Sequence, residues 1–381
     1  MRVLVTSSGM AGHFGPLVPW IHALRERGDD VLVVVPEAAR QQAESTGVPV
    51  VVGGSPDPVE VDRLWRRFRS ADPTVASVIA NREIFGRLDT AAMLPSVERA
   101  VADHRPEVVL HEPTEYAGPV VAMSAGLRTM QVAISLAAVE DGSLAVAAPV
   151  LERYGPVAAA LRSAPYLSRF PAAIDASPYP DTRRYGEPVL AAKSLPDWWG
   201  GSTDPLVYVT FGTVAGAVGT GAYQAAVEAL ESLPVRVLIT TGQELDLGEV
   251  PQRVHVRSWV DQRDALAEAA VVLCHGGSGT TLGALTAGVP TVIYAMFADQ
   301  AHNARALERL GVAVVVGPEN DGAGDLSASE RATYDPGLVP RMRAAIERVL
   351  RDGALRAKSQ LIAGDVRTRP TPSALLAELL T

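Results

Sequence analysis

The chain of 381 residues holds a single cysteine, Cys274. One thiol excludes an intrachain disulfide and a zinc thiolate cluster, and its place in an apolar run marks it as a small core residue. No block of lysine or arginine occurs, and 34 basic against 43 acidic residues leave a formal net charge of −9. That balance excludes the electrostatic footprint of a nucleic-acid binder. No apolar run reaches membrane-spanning length, and Arg2-Val3-Leu4-Val5-Thr6 enters a strand too directly for a secretory signal. No membrane insertion and a cytoplasmic location are therefore expected. The chain also lacks a D-x-D metal motif and a G-x-G-x-x-G dinucleotide fingerprint: Gly9, Gly12 and Gly15 have the wrong spacing, which argues against a nicotinamide cofactor.

What is present is a globular composition, 48% hydrophobic and 20% charged, with length for two or three domains. Short Val/Leu/Ile runs alternate with helical patterns, which predicts βαβ units with strands buried on both faces. Strands are expected at 2–7, 31–35, 48–52, 107–111 and 129–134, then at 206–211, 235–240, 253–256, 270–274, 291–294 and 313–316. Between the two sets, residues 164–204 are proline-rich with faded periodicity and read as a connection. The expected architecture is α/β with two facing, doubly wound, Rossmann-like parallel-sheet domains. Their boundaries fall at 1–190, with the connection from about 164, and at 205–370. A final helical stretch, 371–381, is expected to return to the first domain. Such sheets bind ligands outside the carboxyl ends of their strands.

The strongest local signal is His275-Gly276-Gly277-Ser278-Gly279-Thr280-Thr281, set between an apolar strand and a helix. A glycine-rich turn leaves N–H groups unpaired at a helix N-terminus with the dipole behind them, which suits phosphate. His275 adds a ring donor and Thr280 a hydroxyl. The same pattern also fits an ordinary tight turn. Two further strand-end loops, Phe211-Gly212-Thr213 and Ser258-Trp259-Val260-Asp261-Gln262, add an aromatic plane, backbone groups and an amide, the set that a nucleotide needs. Asp299-Gln300 opens the next helix with groups suited to sugar hydroxyls, although Asp there also serves as an N-cap.

Taken together, Trp259-Val260-Asp261-Gln262, the His275 turn and Asp299-Gln300 resemble the donor half of the two-lobed GT-B nucleotide-sugar glycosyltransferases. The likeness is to the actinobacterial natural-product branch of family 1. The resemblance implies that Trp259 stacks on the base, Val260 bonds its edge and Gln262 lies by the nucleoside sugar. Thr213, His275, Gly277 and Thr280, with Ser278 and Gly279 in the same turn, would hold the pyrophosphate. Asp299 and Gln300 would hold the transferred sugar. Asp261 stands where the family usually has proline. Gly283 stands where many UDP-using members place a ribose-binding glutamate, so the donor is expected to be a dTDP-deoxysugar, with a UDP-sugar as the alternative. The nucleotide sugar is a co-substrate, and no cofactor or metal is implied.

In the first half, His13 lies in the loop after the first strand and matches the histidine that deprotonates the acceptor in this family. An acceptor hydroxyl is a weak nucleophile that a histidine can activate, and a carboxylate on the other ring nitrogen would orient the ring. Glu112 matches the acidic position, with Glu115 in reserve; a charge at a helix terminus is the alternative reading of Glu112. Apolar stretches at 56–103 and 137–166 read as core helices, and in the family they also line the acceptor site. The resemblance implies an inverting, metal-independent transfer of a hexose to an apolar hydroxylated aglycone such as a polyketide. A nucleotide-sugar epimerase or hydrolase and a hinged binding protein are the rivals. Partners are expected to be small molecules, with a homodimer left open.

Overall fold

In the computed structural model, residues 1–187, 191–212, 220–296, 299–317 and 337–380 are described. The chain divides into two compact units, Met1–Glu187 with Arg369–Thr381, and Pro188–Thr368.

The first unit carries a seven-stranded sheet of β1 (Arg2–Thr6), β2 (Asp30–Pro36), β3 (Val50–Gly53), β4 (Val108–His111), β5 (Arg128–Val132), β6 (Tyr166–Ser168) and β7 (Thr182–Arg184). The order is β3-β2-β1-β4-β5-β6-β7, and every pairing is parallel. The Val/Leu runs exist because both faces are covered: Val3 and Val5 pack into one apolar cluster with Trp20 and Ile21, while Leu4 packs into another with Met93 and Val97. Helix Pro372–Leu379 lays Leu375 and Leu376 into the first of these clusters.

The second unit repeats the plan with β8 (Leu206–Thr210), β9 (Arg236–Thr240), β10 (Val254–Arg257), β11 (Ala269–Cys274), β12 (Thr291–Ile293) and β13 (Ala313–Val315). Its six strands run β10-β9-β8-β11-β12-β13, again all parallel. In each sheet the strand order reverses between two neighbours, β1 and β4 in one, β8 and β11 in the other. Open parallel sheets bind ligands at that reversal. Among the described residues no helix is long and apolar enough to cross a membrane.

Eleven expected strands are present within one or two residues of their ends, but residues 164–204 are not simply a connection. They supply β6 and β7, three residues each, which extend the first sheet. Their shortness and the polar Thr-Arg-Arg of β7 give no apolar run to read. A second departure lies at Val78–Asp89, where the expected core helix is wound as a π-helix.

Candidate active site

The loops after β1 and β4 meet because the two strands are paired, Thr6 beside His111. His13 lies within a one-turn helix, Ala11–Phe14, and its ring is half-buried. Its Nδ1 faces three oxygens: Ser8 Oγ at 2.9 Å, Thr114 Oγ1 at 2.9 Å and Glu112 Oε1 at 3.4 Å. A nitrogen surrounded by acceptors keeps its proton, so Nε2 carries the lone pair. Glu112 is fully buried and accepts from Ser8 N at 2.9 Å, Thr114 N at 2.7 Å and Thr114 Oγ1 at 2.8 Å. Burial alone would raise its carboxyl, but the facing His13 and the Ser8 donors outweigh it and carry Glu112 down to about 2.

Glu115, the reserve candidate, is otherwise engaged. It accepts from Thr6 Oγ1, from Ala117 N at 2.8 Å and from Gly118 N at 3.0 Å, closing the first turn of helix Ala117–Ala125. Burial, against these donors, lifts it to about 7. The ring of Phe85, from the π-helix, lies 5.6 Å from that of His13.

In the second unit the turn after β11 leads into helix Ser278–Ala287, whose N-cap Gly277 provides no side-chain bond. The N–H groups of Ser278, Gly279 and Thr280 are thus the exposed end of a helix dipole. His275 stands between two glycines. A Cβ at Gly212 would come within 2.8 Å of its Nε2, and one at Gly277 within 2.4 Å. Burial holds the imidazole down to about 4, hence neutral, with its Nδ1 unpartnered among the described residues. Thr213 lies outside the described residues.

Trp259, after β10, is 72% exposed, far from what a core tryptophan shows. Val260 follows it half-buried. Asp261 caps helix Gln262–Glu268 through Arg263 N at 3.0 Å, which accounts for an acid where the family has proline. Gln262 Nε2 donates to Thr280 Oγ1 at 3.2 Å, joining the first turns of two helices. Gly283 permits that approach, since a Cβ there would meet Gln262 Oε1 at 2.8 Å and Leu266 Cδ1 at 3.0 Å. Asp299 Oδ2 accepts from Ser278 Oγ at 2.8 Å, which ties the expected sugar residue to the phosphate turn. Gln300 is buried, and its side-chain oxygen accepts from Met296 N at 2.8 Å, so that oxygen holds the preceding segment rather than facing a sugar.

Three contributors escaped the sequence. Ser8 and Thr114 orient His13, and Asn303 Nδ2 donates to Gly276 O at 2.9 Å and Asp299 Oδ2 at 3.0 Å, pinning turn and helix together. The spacing of Asp299 and Asn303, one helical turn apart, was the available signal for the last.

Residues 225–381 match the family described as erythromycin biosynthesis protein CIII-like, C-terminal domain. Over 397 residues the chain is 28% identical to the elloramycin glycosyltransferase ElmGT of Streptomyces olivaceus, covering 100% of this chain and 97% of the relative. Over 404 residues it is 29% identical to the L-demethylnoviosyl transferase of Streptomyces niveus, covering 99% and 97%. The solved structure of the spinosyn rhamnosyltransferase SpnG complexed with thymidine diphosphate superposes with a TM-score of 0.77 at 23% identity, covering 100% of both chains. Two parallel-sheet units of this topology and these relatives define a glycosyltransferase of the GT-B fold. More particularly, residues 225–381 match the erythromycin biosynthesis protein CIII-like C-terminal domain, and over its whole length the chain is similar to natural-product glycosyltransferases of Streptomyces.

Proposed function

We propose that this glycosyltransferase moves a deoxyhexose from a dTDP-sugar to an apolar hydroxylated aglycone, with inversion and without a metal ion. The observation that carries the reading is His13, whose Nδ1 faces buried Glu112 and two hydroxyls, leaving Nε2 to take a proton. In this reading Nε2 removes the acceptor's hydroxyl proton as the oxygen attacks the anomeric carbon, and the bond from that carbon to the diphosphate breaks. Glu112 holds the imidazolium that forms. One displacement with no carboxylate relay inverts the centre. The N–H groups of Ser278, Gly279 and Thr280, the Thr280 hydroxyl and neutral His275 take up the charge of the leaving diphosphate, a role that in other transferases a metal fills. Trp259 stacks on the base, Val260 bonds its edge, Gln262 lies by the nucleoside sugar, and Asp299 holds the transferred sugar. The first unit is thus the acceptor-binding domain and the second the donor-binding domain.

A thymidine donor is supported by Gly283, which leaves no carboxylate for a ribose 2′-hydroxyl, and by the rhamnosyltransferase solved with thymidine diphosphate. Calorimetric titration of wild type and His13→Ala with dTDP and UDP, without added metal, tests the reading. Tighter dTDP binding in both proteins, with transfer lowered about 10²- to 10⁴-fold in the variant, is expected. UDP preference would discard the deoxysugar donor, and equal loss of binding and transfer in His13→Ala would discard its role as base.

A further inference from the structure

Asn303 takes no part in the reaction above, yet three oxygens of the second unit converge on its amide nitrogen. It stands in the first turn of helix Gln300–Leu310 and is 1% exposed. Nδ2 donates to Gly276 O at 2.9 Å and to Asp299 Oδ2 at 3.0 Å, with Ser278 Oγ 3.3 Å away. A backbone carbonyl and a carboxylate can only accept, so the nitrogen and not the oxygen of the amide must face them. Oδ1, turned the other way, is buried with no partner among the described residues. An unpaired buried carbonyl is a cost that an apolar side chain of the same shape avoids, so packing alone does not account for an amide here. Its N–H donors do.

The bond to Gly276 O fixes more than one atom. The peptide bonds of the described residues are all trans, and in a planar trans peptide the C=O and the following N–H point in opposite directions. With Gly276 O drawn to Asn303, the Gly277 N–H points away from that side chain, and it meets no backbone acceptor among the described residues. The peptide can be turned this way because Gly276 has a φ of +84°, where a Cβ would also meet Ile293 Cγ2 at 2.8 Å. The bond to Asp299 draws in a second group. Its Oδ2 accepts from Asn303 and from the Ser278 hydroxyl together, so one amide ties that carboxylate to the turn.

We propose that Asn303 is a positioning residue for the donor's diphosphate: its amide sets the Gly276–Gly277 peptide so that the Gly277 N–H joins those of Ser278, Gly279 and Thr280. Asn303 acts through the turn and touches no substrate. This proposal rests on the assignment of the turn to the diphosphate and deepens it.

Calorimetric titration of dTDP and UDP into full-length wild type, Asn303→Leu and Asn303→Asp, at pH 6 and pH 9, tests it. Leucine keeps the volume without a donor. The carboxyl of Asn303→Asp keeps the shape and donates only while protonated, a form that burial and the facing Asp299 carboxylate, whose charge also reaches His275, favour at the lower pH. Asn303→Leu should bind the preferred diphosphate about tenfold more weakly than wild type at both pH values, the fold-change of one lost hydrogen bond to a charged group. Asn303→Asp should stay within about threefold of wild type at pH 6 and fall to the level of Asn303→Leu at pH 9. A merely structural role would not move with pH. Asn303→Leu binding as tightly as wild type, or an affinity of Asn303→Asp relative to wild type that ignores pH, overturns the proposal. Should Asn303→Leu fail to fold, the pH dependence of Asn303→Asp decides alone. Wild type that binds neither diphosphate removes the donor-site reading itself, whereas binding indifferent to Asn303 removes this proposal alone.

Discussion

An imidazole becomes a directed base only when its surroundings decide which nitrogen holds the proton, and here three oxygens around His13 Nδ1 decide it. Glu112→Gln replaces an acceptor with a side chain that can also donate, so the preferred tautomer is lost while the shape is kept. The turnover number should fall about 10²-fold or more, within the range for general-base catalysis, with dTDP affinity within twofold of wild type. Steady-state kinetics beside calorimetry check this, and a turnover number within threefold of wild type would remove Glu112 from the catalytic unit. At this scale the candidate residues legible in the sequence were those whose type and strand-end position speak for themselves: His13, Glu112, Trp259 and the His275 turn. The sequence was silent on Ser8, Thr114 and Asn303, because a hydroxyl or an amide acquires meaning only from a partner. Ser8 and Thr114 are brought together from 106 residues apart.

Strand positions were legible because a strand buried on both faces must be a continuous apolar run, as β1, β8 and β11 are. The π-helix was not, since apolar periodicity assumes 3.6 residues per turn and a wider winding scrambles that pattern. Packing explains where it lies. At Gly86 it presses on helix Ala137–Leu151, and a Cβ there would meet Val150 Cγ2 and Asn81 O, each at 2.9 Å. Gly86→Ala should therefore cost about 1–3 kcal/mol, the range for overpacking, even though alanine is the better helix former. Urea denaturation followed by circular dichroism measures this. An increase in stability would mean that the π-turn yields to ordinary helix at no cost, and that its geometry is not held by this contact.

Across the whole molecule the two units titrate differently. In the first, burial lifts Glu140 to about 8 and Glu115 and Asp89 to about 7. Each binds its proton more tightly folded than unfolded, so stability is lost as pH rises from the usual carboxylate range toward 8. His111, held down to about 4 by burial, acts in the opposite sense, but that contribution is complete once the pH exceeds the ordinary histidine value. In the second unit the shifted histidines, His275 and His255, are both lowered, and Asp261 is lowered by Arg263, so those contributions only grow as pH rises and are complete about one unit above the ordinary histidine value. Between pH 6.5 and 8 the first unit should lose stability while the second loses none. Scanning calorimetry of the full chain at the two pH values, with dTDP added to mark the second-unit transition, should show the other transition falling by several degrees, at about 2–4 °C per kcal/mol for a unit of this size. Transitions that shift together, or a first unit that gains stability, would show that these buried acids are ionised in the folded protein at neutral pH.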